Sequence, residues 1–311
     1  MLRYRADVRT LGVLLTYAAT VVTMWQLDPT GVWAVLGVAL TCVLSWLCAV
    51  IAHNTVHCPL FLKRWQNRLF QVWVTCSYGF PISEYVPGHN LSHHRYTQER
   101  EDVMRTTKVR FGWNLLNGLF FFFAVAPGVT IGNYRYKALM KEKLPQWNQQ
   151  LTIEILSTWG IKLVCFALDW RKALLFVLIP HLFAVWGITS VNYVQHDGCD
   201  MHHPVNHSRN FVGRLFNWVT LNNGYHGMHH IQPSLHWSLL PAAHAEKVKP
   251  TIHPNLDQPS LGVYLFKTFI YPGKRVTFDG KPVIIEGEGP DHDWVKTTES
   301  APRDQLGAAA V

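Results

Sequence analysis

The sequence is short of charge. Asp, Glu, Lys and Arg make up 15% of the 311 residues, where about 25% is usual for soluble domains. With 49% hydrophobic residues beside so little charge, the chain is written for a membrane. It also lacks paired cysteines: none of Cys42, Cys48, Cys58, Cys76, Cys165 and Cys199 stands at C-x-x-C spacing. That excludes a zinc ribbon and a thioredoxin-type redox site and leaves reduced thiols. There is no G-x-S-x-G elbow, Walker loop or G-x-G-x-x-G fingerprint, so nucleophilic hydrolysis and nucleotide binding have no foothold. High apolar content without a short repeat excludes a disordered tail protein, a collagen and a small disulfide scaffold.

Long apolar runs are what the chain does have, at residues 11–27, 32–52, 111–131, 151–168 and 173–194, each near the ~20 residues a spanning helix needs. The first follows the basic start Arg3 and Arg5 and reads as an anchor, not a cleaved signal. Asp28-Pro29-Thr30-Gly31 reads as a tight turn between two spans. The second run leads into His53, and the stretch beyond it carries Lys63, Arg64, Arg68, Arg95, Arg100, Arg105, Lys108 and Arg110. By the positive-inside rule that face is cytoplasmic. Residues 63–78 alternate basic and apolar positions in the manner of a helix lying on the inner leaflet. Five full crossings would put His196 on the face opposite the earlier histidines, so one run must not cross, and 111–131 is expected to be in-plane or re-entrant. The expected fold is an all-α integral membrane protein with four transmembrane helices plus in-plane or re-entrant helices. Both termini and the histidine clusters are then cytoplasmic. Lys162, inside the fourth run, disfavours insertion by ~2.5–3.5 kcal/mol unless it finds relief. Residues 1–244 form the membrane domain and 245–311 a cytoplasmic tail, in which Arg275 to Ile285 reads as a short hairpin turning at Asp279-Gly280.

Seventeen histidines, nearly as many as the twenty carboxylates, are the compositional anomaly. The second run ends in His53-Asn54-Thr55-Val56-His57, whose histidines at i and i+4 share a helix face. His89-Asn90-Leu91-Ser92-His93-His94 repeats that spacing with a third imidazole, and His226-Gly227-Met228-His229-His230 offers i, i+3 and i+4. Asn192 and His196 stand at i and i+4 where the last run ends. One isolated histidine is roughly nine times out of ten a hydrogen-bonded or surface residue; three such clusters reverse the odds. Eight or nine imidazoles exceed the four that zinc takes and point to two metals, with iron first among those that activate oxygen. His181 reads as a buried, hydrogen-bonded histidine, and His202, His203, His207, His236, His244, His253 and His292 as ordinary polar ones. A membrane zinc transporter or sensor is the rival from another class. The clusters stand at span ends, whereas transport sites lie near the bilayer midplane.

These residues resemble the membrane fatty acid desaturase and hydroxylase superfamily, whose three histidine boxes hold a di-iron centre. The likeness covers about His53 to His230. His53 and His57 are similar to the first box, His89, His93 and His94 to the second, and His226, His229 and His230 to the third. Asn192 and His196 resemble the extra asparagine and histidine of acyl-CoA desaturases, Asn192 as a water-holding ligand. Tyr193 and Gly198 are similar to the N-Y-x-x-H-x-G segment of alkane hydroxylases, as is the H-x3-H-H second box. The resemblance implies a cytoplasmic cap holding two Fe ions by His53, His57, His89, His93, His94, His196, His226, His229 and His230. Asp102 and Asp197 are the first candidates for orienting those imidazoles. It implies an oxidoreductase using O2 on an unactivated C–H bond of a lipid acyl chain. Fatty acid desaturation leads, and hydroxylation of a fatty, alkyl or terpenoid substrate follows. The chain has no H-P-G-G heme motif and no flavin or iron–sulfur signature, so electrons are expected from a separate ferredoxin, cytochrome b5 or similar donor. The net charge of +8 suits anionic lipid or an acidic donor, not nucleic acid, because the basic residues sit where topology already requires them.

Overall fold

A computed structural model describes residues 1–285, 287 and 289–300; the Ala-rich end expected from Ala301 lies outside them. The helices that matter below are α1 (Val8–Leu27), α2 (Gly31–His57), α3 (Arg64–Tyr78), α4 (Val86–His93), α5 (Asn114–Met140), α6 (Pro145–Leu168), α7 (Trp170–His196), α8 (Arg214–Val219), α9 (His226–Ile231), α10 (Leu240–Lys247) and α11 (Leu261–Ile270). Two-residue strands β1 (Asn210–Phe211) and β2 (Asp257–Gln258) pair in parallel. Among the described residues, five helices are long and apolar enough to cross a membrane: α1 extended back to Arg5, α2, α5, α6 and α7. The described residues divide into two compact units, one of residues 1–86 and 137–188, the other of residues 87–136 and 189–300.

In the first unit the α1–α2 corner follows its sequence. Asp28 (φ 45°) and Gly31 (φ 55°) take left-handed backbone, and Pro29 between them cannot extend a helix. The Asp28 carboxylate accepts from Arg171 at the start of α7. On α3, Trp65 and Leu69 face outward while Phe70 and Val74 are buried, the two-sided pattern of a surface helix. Polar side chains of α6 turn inward instead of toward lipid. Glu154 accepts from Ser83 N (2.9 Å), Ser83 Oγ (3.0 Å) and Gln150 Nε2 (3.0 Å). The Lys162 ammonium donates to Gly79 O at 2.7 Å and lies over the Phe80 and Trp159 rings. Lys162 thus escapes the lipid penalty through a protein carbonyl and two π faces. His181 is buried with Nε2 3.1 Å from Tyr17 Oη.

From Asn114 onward the apolar run at 111–131 is part of one unbroken 27-residue helix, α5, which carries Pro127 inside it. Proline removes one backbone donor, but a long apolar helix absorbs the loss. The hairpin expected at 275–285 is reduced to a single bridge, Val276 with Pro282, around a turn in which Thr277 N donates to Lys281 O at 2.8 Å.

In the second unit a core of Val109, Phe121, Val125, Tyr193, Val194, Phe211 and Phe269 joins α5, the end of α7, β1 and α11. Phe269, with Leu261, Tyr264 and Leu265 packed beside it, thus brings part of the stretch expected as a tail into the core that supports the histidines. At Gly118 and Gly132 of α5 this stretch packs close against the helix. A Cβ would stand 2.7 Å from the Phe269 ring at the first and 2.6 Å from the Trp294 ring at the second.

Candidate metal centre

The second histidine box needs residues four and five apart on one side of a helix, which an α-helix does not provide. Over Val86–His93 the chain winds as a π-helix, and closing i→i+5 widens the turn until i+4 and i+5 flank the direction of i. His89, His93 and His94 consequently project together. The third box is a short α-helix, α9, where i, i+3 and i+4 already share a face. Its approach is held by Asn217, which donates to Phe211 O (2.7 Å) and accepts from Gly224 N (3.1 Å). Beneath α9, Gly227 N donates to Asn210 Oδ1 (2.8 Å), Asn210 Nδ2 to Asp257 Oδ1 (2.9 Å), and Asp257 Oδ2 meets His244 Nε2 (3.0 Å).

Four imidazoles meet in the second unit: His93, His196, His226 and His230 offer ligand atoms that all lie within 4.8 Å of one another. The Nε2 atoms of three form a triangle, His196 to His226 at 2.8 Å, His196 to His230 at 3.1 Å and His226 to His230 at 3.1 Å. His93 completes the set, its ring centroid 4.8 Å from that of His196 and 5.0 Å from that of His230. His89, His94 and His229 form a neighbouring group, with His94 Nε2 3.1 Å from both His89 Nε2 and His229 Nε2.

The other ring nitrogens set the protonation. His93 Nδ1 lies 2.8 Å from Asp102 Oδ2, with both side chains fully buried, and the carboxylate is itself fixed by Gln98 N (2.9 Å) and Met104 N (2.7 Å). His196 Nδ1 donates to His207 O at 3.0 Å. An imidazole that donates from Nδ1 presents a lone pair at Nε2. His93 Nε2 is buried with no hydrogen-bond partner, a costly state for a polar atom unless a cation takes its lone pair. Burial, followed by the neighbouring imidazoles His94, His226, His196 and His93, holds the His230 pKa well below the ordinary value. Burial likewise pushes His207 down to about 4. That direction favours the neutral form of His230, the form that binds metal. An all-nitrogen, convergent donor set fits a borderline divalent transition metal in each group.

Of the two carboxylates singled out from sequence, Asp102 meets a histidine and Asp197 does not. Asp197 accepts from Arg275 at 2.5 and 2.9 Å. One residue past an imidazole on a helix, a side chain points about 100° away from it, toward the tail. Asn192 donates to Met104 O at 3.3 Å. His53 and His57 end α2 in the first unit, with ring centroids 5.8 Å apart. Of the histidines set aside, His207 supplies the carbonyl that orients His196, a backbone role with no sequence signal. His244 braces α9 through Asp257, and His203 Nδ1 accepts from Val205 N (3.2 Å) and Asn206 N (3.1 Å). All six cysteines are free thiols.

Comparison with known proteins follows the same residues. The chain is 26% identical over 271 residues to the alkane 1-monooxygenase of Ectopseudomonas oleovorans, a match covering 81% of this chain and 64% of that protein. It thus spans a little under two thirds of that relative's length. The family model described as fatty acid desaturase matches residues 31–257, a stretch that contains every histidine of both groups. The chain belongs to the fatty acid desaturase family.

Proposed function

We propose that this protein is a membrane di-iron oxidase that uses O2 to oxidise an unactivated C–H bond in a lipid acyl chain, with desaturation as its outcome. The observation that carries the reading is the buried, unpartnered Nε2 of His93 beside the His196, His226 and His230 triangle. One iron belongs to that group. The other belongs to His89, His94 and His229, with His53 and His57 added from the first box of the resemblance. When bound, the irons carry the reduction of O2: two electrons come from the chain, and two electrons with two protons from a separate donor, so that an alkene and two waters form. The protein's own residues do the rest. Asp102 and the His207 carbonyl hold imidazole tautomers, and burial keeps water from the lone pairs until the metals bind.

Hydroxylation, which leaves an alcohol and one water, is the second reading. The alkane 1-monooxygenase likeness and the H-x3-H-H second box favour it.

Four crossings are part of the same proposal. Three candidate spans separate His93 from His196, yet their rings are 4.8 Å apart, and an odd number of crossings would part them. Support for α5 as the helix that lies in the plane comes from the polar tail along it. Near one end Asn114 N meets Gly273 O (3.0 Å) and Asn114 Nδ2 meets Thr268 O (3.3 Å); near the other Arg135 pairs with Asp293 at 2.6 Å. A tail carrying Lys274, Asp279, Asp291 and Asp293 would have to cross beside α5 if α5 crossed, and such residues stay out of hydrocarbon. The basic segments support a cytoplasmic position for this face.

Mass spectrometry of total lipids from a host expressing the chain tests the reaction, with His226→Ala as control. A lipid lacking two hydrogens, made only by the parent, is the expected result. A lipid gaining one oxygen would move the reading to hydroxylation, and unchanged lipids in an iron-loaded, donor-supplied host would overturn both.

A further inference from the structure

We propose that Arg275, in the segment beyond the last histidine box, is a positioning residue for the His93, His196, His226 and His230 metal. This rests on the di-iron reading above. Three of its nitrogens make five hydrogen bonds. Nε donates to Asp197 Oδ1 (2.9 Å) and Oδ2 (3.2 Å), and Nη2 to Asp197 Oδ1 (2.5 Å) and Thr106 O (2.9 Å). Nη1 donates to Val109 O (2.6 Å). The guanidinium also lies over the Tyr193 ring, 5.5 Å from its centroid, and the two side chains of the ion pair are 8% and 5% exposed.

One acceptor, Asp197, adjoins His196, and the other two lie on the loop that carries Asp102, the partner of His93. Asp197 immediately follows His196 and is still on the helix ladder, its N donating to Tyr193 O at 2.8 Å. Thr106 and Val109 end the loop that starts at Asp102, the carboxylate holding His93. One planar, five-donor group therefore ties the His196 end of α7 to the loop behind His93, a geometry that an ammonium cannot reproduce. The seat is shaped for it. Gly198 adopts φ +68°, and a Cβ there would stand 2.5 Å from Val276 O, so the turn after Arg275 docks directly on the backbone past His196. Phe278 N donates to Gly198 O at 2.8 Å. Arg209 supports the same helix end from another side, donating to Val194 O (2.8 Å) and Asp197 O (3.0 Å). Cations at a helix C-terminus satisfy carbonyls that the helix leaves open. Removing Arg275 frees Asp197, leaves two carbonyls open and lets His196 and His93 move apart. The acceptors that Arg275 holds stand beside His196 and on the loop behind His93, so the loss is expected at that group first and not at His89, His94 and His229.

The test is Fe(II) titration of the detergent-solubilised full chain, with bound iron counted by mass spectrometry and its sites resolved by Mössbauer spectra of 57Fe. Arg275→Ala is expected to weaken one of the two irons by about 10–100-fold, the range for partners that orient metal ligands, while the other keeps parent affinity. Arg275→Lys, which holds the charge but loses the fork, falls between. Asp293→Ala breaks a different tail contact, that with Arg135, and keeps both irons. If Arg275→Ala fails to fold, Arg275→Lys alone decides, since one iron must still weaken relative to the other. Parent affinity at both sites in Arg275→Ala, or equal weakening at both in step with a lowered melting temperature, overturns the proposal. A parent chain that binds no pair of irons would instead overturn the reading beneath it.

Discussion

His181 and His93 are both almost wholly buried, and they teach opposite lessons. In the first unit His181 Nε2 meets Tyr17 Oη at 3.1 Å, and nearby Glu154 and Lys162 are answered by Ser83, Gln150 and Gly79. Buried polarity there holds membrane helices together. In the second unit His93 is held by Asp102 on one nitrogen and has no partner on the other, and three further Nε2 atoms converge beside it. An open nitrogen does not separate the two, since His181 Nδ1 is likewise buried without a hydrogen-bond partner; what sets His93 apart is the convergence of three further imidazoles beside it, the arrangement proposed above to hold a metal.

Breaking the second unit's side should have the largest effect. His226→Ala removes a corner of the triangle and is expected to abolish product in the lipid assay, a loss of more than about a thousandfold if its iron carries the electrostatic work of the reaction. His181→Ala should leave iron content at parent level. Next comes Asp102→Asn, which keeps the shape but weakens the acceptor for His93 Nδ1; metal affinity at that group is expected to fall about 10–100-fold, read by competition with a chelator.

The first unit's side breaks differently. Glu154→Ala strands the Ser83 amide, the Ser83 hydroxyl and the Gln150 amide, and at ~1–3 kcal/mol for a buried unsatisfied group should cost about 3 kcal/mol in thermal or denaturant unfolding without changing iron stoichiometry. Tyr17→Phe, which removes a single neutral hydrogen bond, should cost about 1 kcal/mol.

The smallest effect is expected at the tail. Although partial burial pushes it up, hydrogen bonds and charge from Lys108 and Arg105 hold the Asp291 carboxyl below its ordinary value. A lowered carboxylate pKa stabilises the folded form above the unfolded value of ~3.9 and loses that contribution as pH falls through the folded value. Hydrogen exchange of residues 289–298 should therefore rise in acid below about pH 4, and Asp291→Asn should raise it at neutral pH.

Much of this was legible in the sequence, and the reasons are specific. Histidines at i, i+3 and i+4 declare a helix face on their own, so the spacing of His226, His229 and His230 is enough to group them. The turn at Asp28-Pro29 and the inner-leaflet helix α3 were written in residue types with strong local preferences. Three features were not. The π-helical winding at Val86–His93 has no composition signal, although the i, i+4, i+5 spacing of His89, His93 and His94 demands something wider than an α-turn. The unbroken course of α5 past Pro127 is not marked locally either, because one proline in a long apolar helix costs less than breaking it. Arg275 and the His207 carbonyl were invisible because the first acts across 78 residues and the second through a backbone atom, which nothing local marks.

The most direct test of the central claim is the metal content of the purified full chain beside His226→Ala and His181→Ala. The parent and His181→Ala should each hold two irons per chain, and His226→Ala fewer, with the remaining iron still bound by nitrogen ligands in X-ray absorption. Equal metal in all three proteins, or loosely held zinc in place of iron, would contradict it.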